Sequence, residues 1–146
     1  MFLGLWNYDP KNPWRKPEDC GYDGMTHDFA KHSETGDLDE ENANLKAMYE
    51  EIADVEVLLA YYDYEDYTGL AFVLFRKDGK LYEVNGSHCS CYGLAGQWEP
   101  EETTVEALYH RLAEGSLGRS CEHKGGEKVY TNLFARELRG VLRGLD

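Results

Sequence analysis

The tightest constraint on this chain lies at its centre. VEVLLAYYDY (55–64), GLAFVLF (69–75) and KLYEV (80–84) follow one another with only short breaks. The first run is β-branched and aromatic, the second continuously apolar, and the third alternates, all of which read as strands. Asp78-Gly79 joins the last two, a pair that tolerates the positive φ angles of a two-residue hairpin. YEDYTG (64–69) turns the first pair. A strand apolar at every position is satisfied only when both its faces are covered. The expectation is an antiparallel β-meander of three strands, or four, with its central strand buried on both sides and helices supplying the cover.

About three helices are expected. Asp37 can cap one near 38–53, with Glu40 completing a capping box. Leu38, Leu45, Met48 and Ile52 form its apolar stripe, while Glu40, Glu41, Glu50, Glu51 and Asp54 make the other face acidic. TTVEALYHRLAEG (103–115) gives a second helix, with Thr103 and Glu106 as its capping box, Val105, Leu108 and Leu112 buried, and Gly115 as its stop. After the Gly-rich tract SLGRSCEHKGGEK, read as a loop, a last helix near 129–144 turns Phe134, Leu138, Val141 and Leu142 inward. Pro10, Pro13 and Pro17 forbid a long helix in residues 1–37, which read as an irregular aromatic-pinned segment opening with a short strand at Phe2–Trp6. With 146 residues and neither repeat nor linker, the chain reads as one α+β domain spanning 1–146.

Charge narrows the partners. The net charge is −13, and residues 34–66 hold twelve acids against Lys46, a local balance of −11. Residues 116–146 carry six bases against four acids, or +2. A field this negative repels nucleic acid and anionic membranes and attracts a protein with a basic surface. The opening MFLGLWNYDP lacks a basic n-region and meets Asp9 and Pro10 early, unlike a signal peptide. No apolar run approaches the roughly 20 residues that span a bilayer. The expected location is the cytoplasm, with reduced cysteines.

Three constellations could carry chemistry. Cys89-Ser90-Cys91 and Cys121-Glu122-His123 offer four zinc donors in Cys89, Cys91, Cys121 and His123, although one intervening residue is tighter than the usual knuckle spacing. The competing reading makes Cys89 and Cys91 small reduced core hydrophobes, with no cofactor at all. A nucleophilic Cys89 is disfavoured, because the adjacent His88 points the other way in an extended segment. No nucleophile elbow, phosphate loop or metalloprotease signature is present, so a non-enzymatic protein is expected. The third constellation is YYDYEDY (61–67), where tyrosines interleave with acids at a hairpin tip. Tyr62, Asp63, Tyr64, Glu65, Asp66 and Tyr67 there, with the field of Glu40, Glu41, Glu50 and Glu51, make a candidate partner surface. Alternatively, Tyr61 and Tyr64 pack in the sheet and the acids solvate a turn.

GSHCSCYGL followed by GQWEPEE, within a run reaching from YTGL to VEAL, resembles a small-protein family encoded by bacteriophages and prophages. The resemblance covers roughly residues 60–112. It implies a context rather than an activity: a phage accessory protein in the bacterial host cytoplasm. In that context the acidic surface points to a protein that binds and inhibits, or redirects, a host protein. A nucleic-acid-handling defence complex such as CRISPR–Cas is the specific expectation. The alternatives are a small zinc-binding domain and a cysteine-dependent enzyme. Oligomeric state stays open.

Overall fold

The computed structural model describes residues 1–8, 10–11, 16–64, 67–89, 92–124 and 127–145. Among them the order is β1 (Phe2–Gly4), a 3₁₀ turn (Pro17–Asp19), α1 (Gly21–Phe29), α2 (Leu38–Ile52), β2 (Glu56–Tyr62), β3 (Thr68–Lys77) and β4 (Lys80–Cys89). There follow β5 (Glu101–Thr103), α3 (Val105–Glu114), β6 (Ser120–Lys124), β7 (Glu127–Thr131) and α4 (Leu133–Leu145). The protein is α+β. The expected meander is its centre: β3 pairs antiparallel with β2 on one side and with β4 on the other. Register from Thr68↔Cys89 to Lys77↔Lys80 runs straight into the Asp78-Gly79 turn, whose residues both sit at positive φ, 53° and 76°. That is the turn geometry matching the strand twist.

The sheet is larger and of mixed sense, where three or four antiparallel strands were expected. It has five strands in the order β1-β2-β3-β4-β5, and β1 runs parallel to β2 through Phe2↔Ala60, Leu3↔Tyr61 and Gly4↔Tyr62. A parallel neighbour needs a long crossover, and α1 and α2 lie in the chain between these two strands. The N-terminal segment is therefore less irregular than its prolines suggest. On the other edge β5 pairs with β4, Leu81↔Thr103 to Glu83↔Glu101. Thr103 is drawn into that strand, so Thr104 caps α3 instead, accepting from the Ala107 amide at 3.1 Å. At α2, Asp37 is the cap as expected, but Glu40 accepts from the Ser33 hydroxyl at 3.0 Å rather than closing a box. The tract read as a Gly-rich loop contains the β6–β7 hairpin, which shortens the last helix to α4, while α1, inside the segment read as irregular, brings the helices among the described residues to four.

Strand alternation sends side chains to two separate cores. On one face Ala60, Ala71, Val73, Phe75 and Val84 meet Met25 and Phe29 of α1 and Met48 and Ile52 of α2. On the other, Leu59, Tyr61, Phe72 and Leu74 meet Leu108 and Leu112 of α3 and Phe134, Leu138 and Leu142 of α4. The result is three layers, helices on both faces of the sheet. β3 serves both cores, and Ala71 to Phe75 are all buried, as its unbroken apolar run requires. Each large side chain buried this way contributes about 1.5–3 kcal/mol. Trp6 pins the N-terminal segment: it is fully buried, stacks on Tyr62 at 5.2 Å, and donates its indole N–H to Asp28 at 2.7 Å.

Candidate functional site

At the β2–β3 turn, Asp63 is buried rather than displayed. One carboxylate oxygen accepts from the Leu70 amide at 2.7 Å and the other from the Tyr61 hydroxyl at 3.1 Å. Its carbonyl accepts from His88 Nε2 at 2.6 Å, so that ring nitrogen carries a proton. Asp63 thus closes the turn and is removed from the candidate partner surface. An acid beside unpaired turn amides finds donors nearer than solvent. Tyr62 is half-buried between Trp6 and His88, whose ring centroid lies 4.6 Å away; Tyr64 stacks near His88 at 6.1 Å. Gly69 permits this approach, because a Cβ there would overlap the His88 ring and the Asp63 carbonyl oxygen. Tyr67 is the most outward of the described members, 69% exposed and in the left-handed region at φ 68°. Glu65 and Asp66 lie outside the described residues.

The acidic face of α2 forms as expected. Glu40, Glu50 and Glu51 are exposed and Glu41 is half-buried. Glu50 and Glu51 occupy the C-terminal turn, which holds no basic residue, so they oppose the helix dipole. Tyr49 on the same helix donates its hydroxyl to Asp23 of α1 at 2.7 Å. Burial and that carboxylate hold the phenol above its ordinary pKa. Arg136, Arg139 and Arg143 of α4 are exposed across the sheet, in the opposite helical layer. The molecule is therefore polarised, acidic on the α2 side and basic along α4.

Around the cysteines, β4 alternation buries His88 and exposes Cys89, which corrects the reading of Cys89 as a core hydrophobe. The two point to different environments and do not form a thiolate–base pair. Cys91 lies outside the described residues, as do the side chains of Cys121 and His123. Among the described residues no group of three or more His, Cys, Asp or Glu is arranged to hold a metal. What the following loop visibly does is structural. Gln97 accepts from the Ser87 amide at 2.9 Å and donates to the Ser87 carbonyl at 2.6 Å and to Gly93 at 2.8 Å. Its side-chain amide stands in for a neighbouring strand where β5 has ended. Trp98 stacks on Phe75 at 5.6 Å and meets Phe29 edge-on at 5.2 Å.

Sequence reasoning missed Glu83. It is buried, and both its oxygens accept from Arg111 Nη1, at 2.6 and 2.7 Å, with Asn85 donating to one of them at 2.7 Å. Burial pushes this carboxyl up, but bonds from Arg111, Asn85 and Thr103 and the Arg111 charge outweigh it and hold the pKa below its ordinary value. The signal was present in KLYEVN: Glu83 and Asn85 share parity with Leu81, which packs against the α3/α4 core. A carboxylate at an inward strand position calls for a buried cation.

No protein-family model, curated protein or solved structure matches this chain. No helix among the described residues is long and apolar enough to cross a membrane.

Proposed function

We propose that this chain is a phage accessory protein acting by stoichiometric binding in the host cytoplasm. It presents the acidic α2 layer to a basic surface of a host protein and inhibits or redirects it. A nucleic-acid-handling defence complex such as CRISPR–Cas is the specific target, met where it would otherwise hold a phosphate backbone. The observation that supports this reading is the placement of Glu40, Glu50 and Glu51, exposed on one layer while the arginines of α4 occupy the other. The sheet between them keeps these charges from neutralising one another. Glu41 adds to the field, and Tyr64 and Tyr67 offer aromatic contact area at the β2–β3 turn.

The test is the association rate of the purified protein with a purified CRISPR effector complex. The rate is expected to fall steeply between about 0.05 M and about 0.3 M salt, as steered encounters do. Glu40, Glu41, Glu50 and Glu51 all changed to Lys should abolish the complex, and target DNA should compete with the unaltered protein. Binding that ignores both salt and the charge reversal would sink the proposal.

A further inference from the structure

On the α2 side of the sheet, a cleft of about 350 Å³ lies between the C-terminal turn of α2, the β3–β4 turn and Trp98. Strand register builds its aromatic wall. Val57, Phe75, Tyr82 and Glu102 stand opposite one another on four successive strands, so they share this face of the sheet. Phe75 is buried, and Tyr82 and Trp98 are half-buried. Tyr82 stacks on Phe75 at 5.4 Å and Trp98 at 5.6 Å, tilted only 20° and 12° from its plane. Phe29 meets Trp98 edge-on at 5.2 Å and holds that ring in place. Around the rings stand the carboxylates of Glu51, Asp54, Asp78 and Glu102. The amines beside them are Lys77, paired with Asp54 at 3.6 Å, and its register partner Lys80.

We propose that this cleft receives an arginine side chain, its guanidinium flat on the rings and its N–H edges directed at Glu51 and Asp78. Shape selects the cation. Rings lying nearly parallel offer faces to a planar guanidinium, whereas a spherical ammonium needs rings closing on it from several sides. Charge selects its sign: aromatic faces are negative, and Glu51 and Asp78, exposed in the lining, supply acceptors for the guanidinium fork. Stacking has already fixed Tyr82 and Trp98, so little side-chain freedom is lost on binding. The arginine belongs to the basic surface of the host protein, and that attribution alone rests on the proposed function. The α2 field then speeds encounter, and the cleft slows departure.

The test titrates the full-length protein, at constant ionic strength, with N-acetylarginine amide, N-acetylcitrulline amide, N-acetyllysine amide and tetramethylammonium. The indole N–H of Trp98 is followed by NMR. The arginine compound is expected to shift it saturably, and the neutral citrulline compound to bind about tenfold more weakly. The lysine compound and tetramethylammonium, lacking the flat face, should each bind about threefold more weakly. Glu51→Gln/Asp78→Asn is expected to weaken the arginine compound about tenfold. Asparagine tolerates the positive φ of residue 78, so this variant should keep the wild-type circular dichroism. Tyr82→Leu leaves every charge in place and is expected to weaken it about threefold or more. Absence of saturation, equal binding of citrulline or tetramethylammonium, or full affinity in both variants overturns the proposal. With the effector complex, Tyr82→Leu should raise the dissociation rate about tenfold and leave the salt dependence of association unchanged. A complex that dissociates no faster overturns the cleft and spares the α2 surface. Arginine binding without any complex upholds the cleft and overturns the proposed function.

Discussion

Asp63 shows how far burial changes the meaning of a residue. In the sequence it belongs to an acid-rich tyrosine tract; in the fold its carboxylate is consumed by the Leu70 amide and the Tyr61 hydroxyl. Asp63→Ala strands both donors and is expected to cost about 1–3 kcal/mol in urea unfolding, with Asp63→Asn milder because one acceptor survives. Glu83 makes a second prediction. Arg111→Met leaves its buried carboxylate unpaired and should cost about 3–5 kcal/mol. The pH dependence follows from the lowered pKa: the unfolded chain holds the proton more tightly than the folded one. The pair's contribution is present above the unfolded value, near 4.5, and is lost as pH falls through the lower folded value. Relative to Glu83→Gln/Arg111→Gln, the unaltered protein should lose stability in that acid window and hold a constant difference from about pH 6 to 8. A difference that changes only at alkaline pH would contradict the assignment.

At the scale of elements, α2, α3 and the β2–β3–β4 meander were legible because each carries its own periodicity and its own stop. Caps were less so: the sequence favours Thr103, whose capping box Glu106 would complete, and only the pairing of Thr103 with Leu81 passes the cap to Thr104. β1 falls within the short strand expected at Phe2–Trp6, though nothing local told of its parallel pairing with β2, and the three residues of β5 carry too little pattern to read; both form because β2 and β4 offer unpaired edges. Their shortness also leaves little edge for another chain to extend. α2 supports a prediction with opposite signs in two measurements. Glu50→Lys/Glu51→Lys should raise stability by about 0.3–1 kcal/mol per residue, since cations suit a helix C-terminus. The same change should slow association with a basic partner. A loss in both measurements would mean that these acids hold the fold instead.

For the whole molecule, the N-terminal segment is part of the domain and not an appendage. Trp6 reaches the core between α1 and the sheet, so Trp6→Ala is expected to cost about 3–5 kcal/mol, read from the denaturation midpoint. A change below about 1 kcal/mol would show that the segment is dispensable. Polarity of charge likewise belongs to this scale. The sequence places acids in residues 34–66 and bases in 116–146. Only the layering sets α2 and α4 on opposite faces, where the two fields remain separate.

The sequence by itself determined the α+β class, the central meander with its Asp-Gly turn, and the acidic helix. Each of these is local, encoded in side-chain period and turn chemistry within a few residues. Tertiary structure alone decided the parallel β1, the burial of Asp63, the exposure of Cys89 and the pinning of Arg111 by Glu83. Those depend on which groups meet across the sheet, and local periodicity carries no record of a partner far away along the chain.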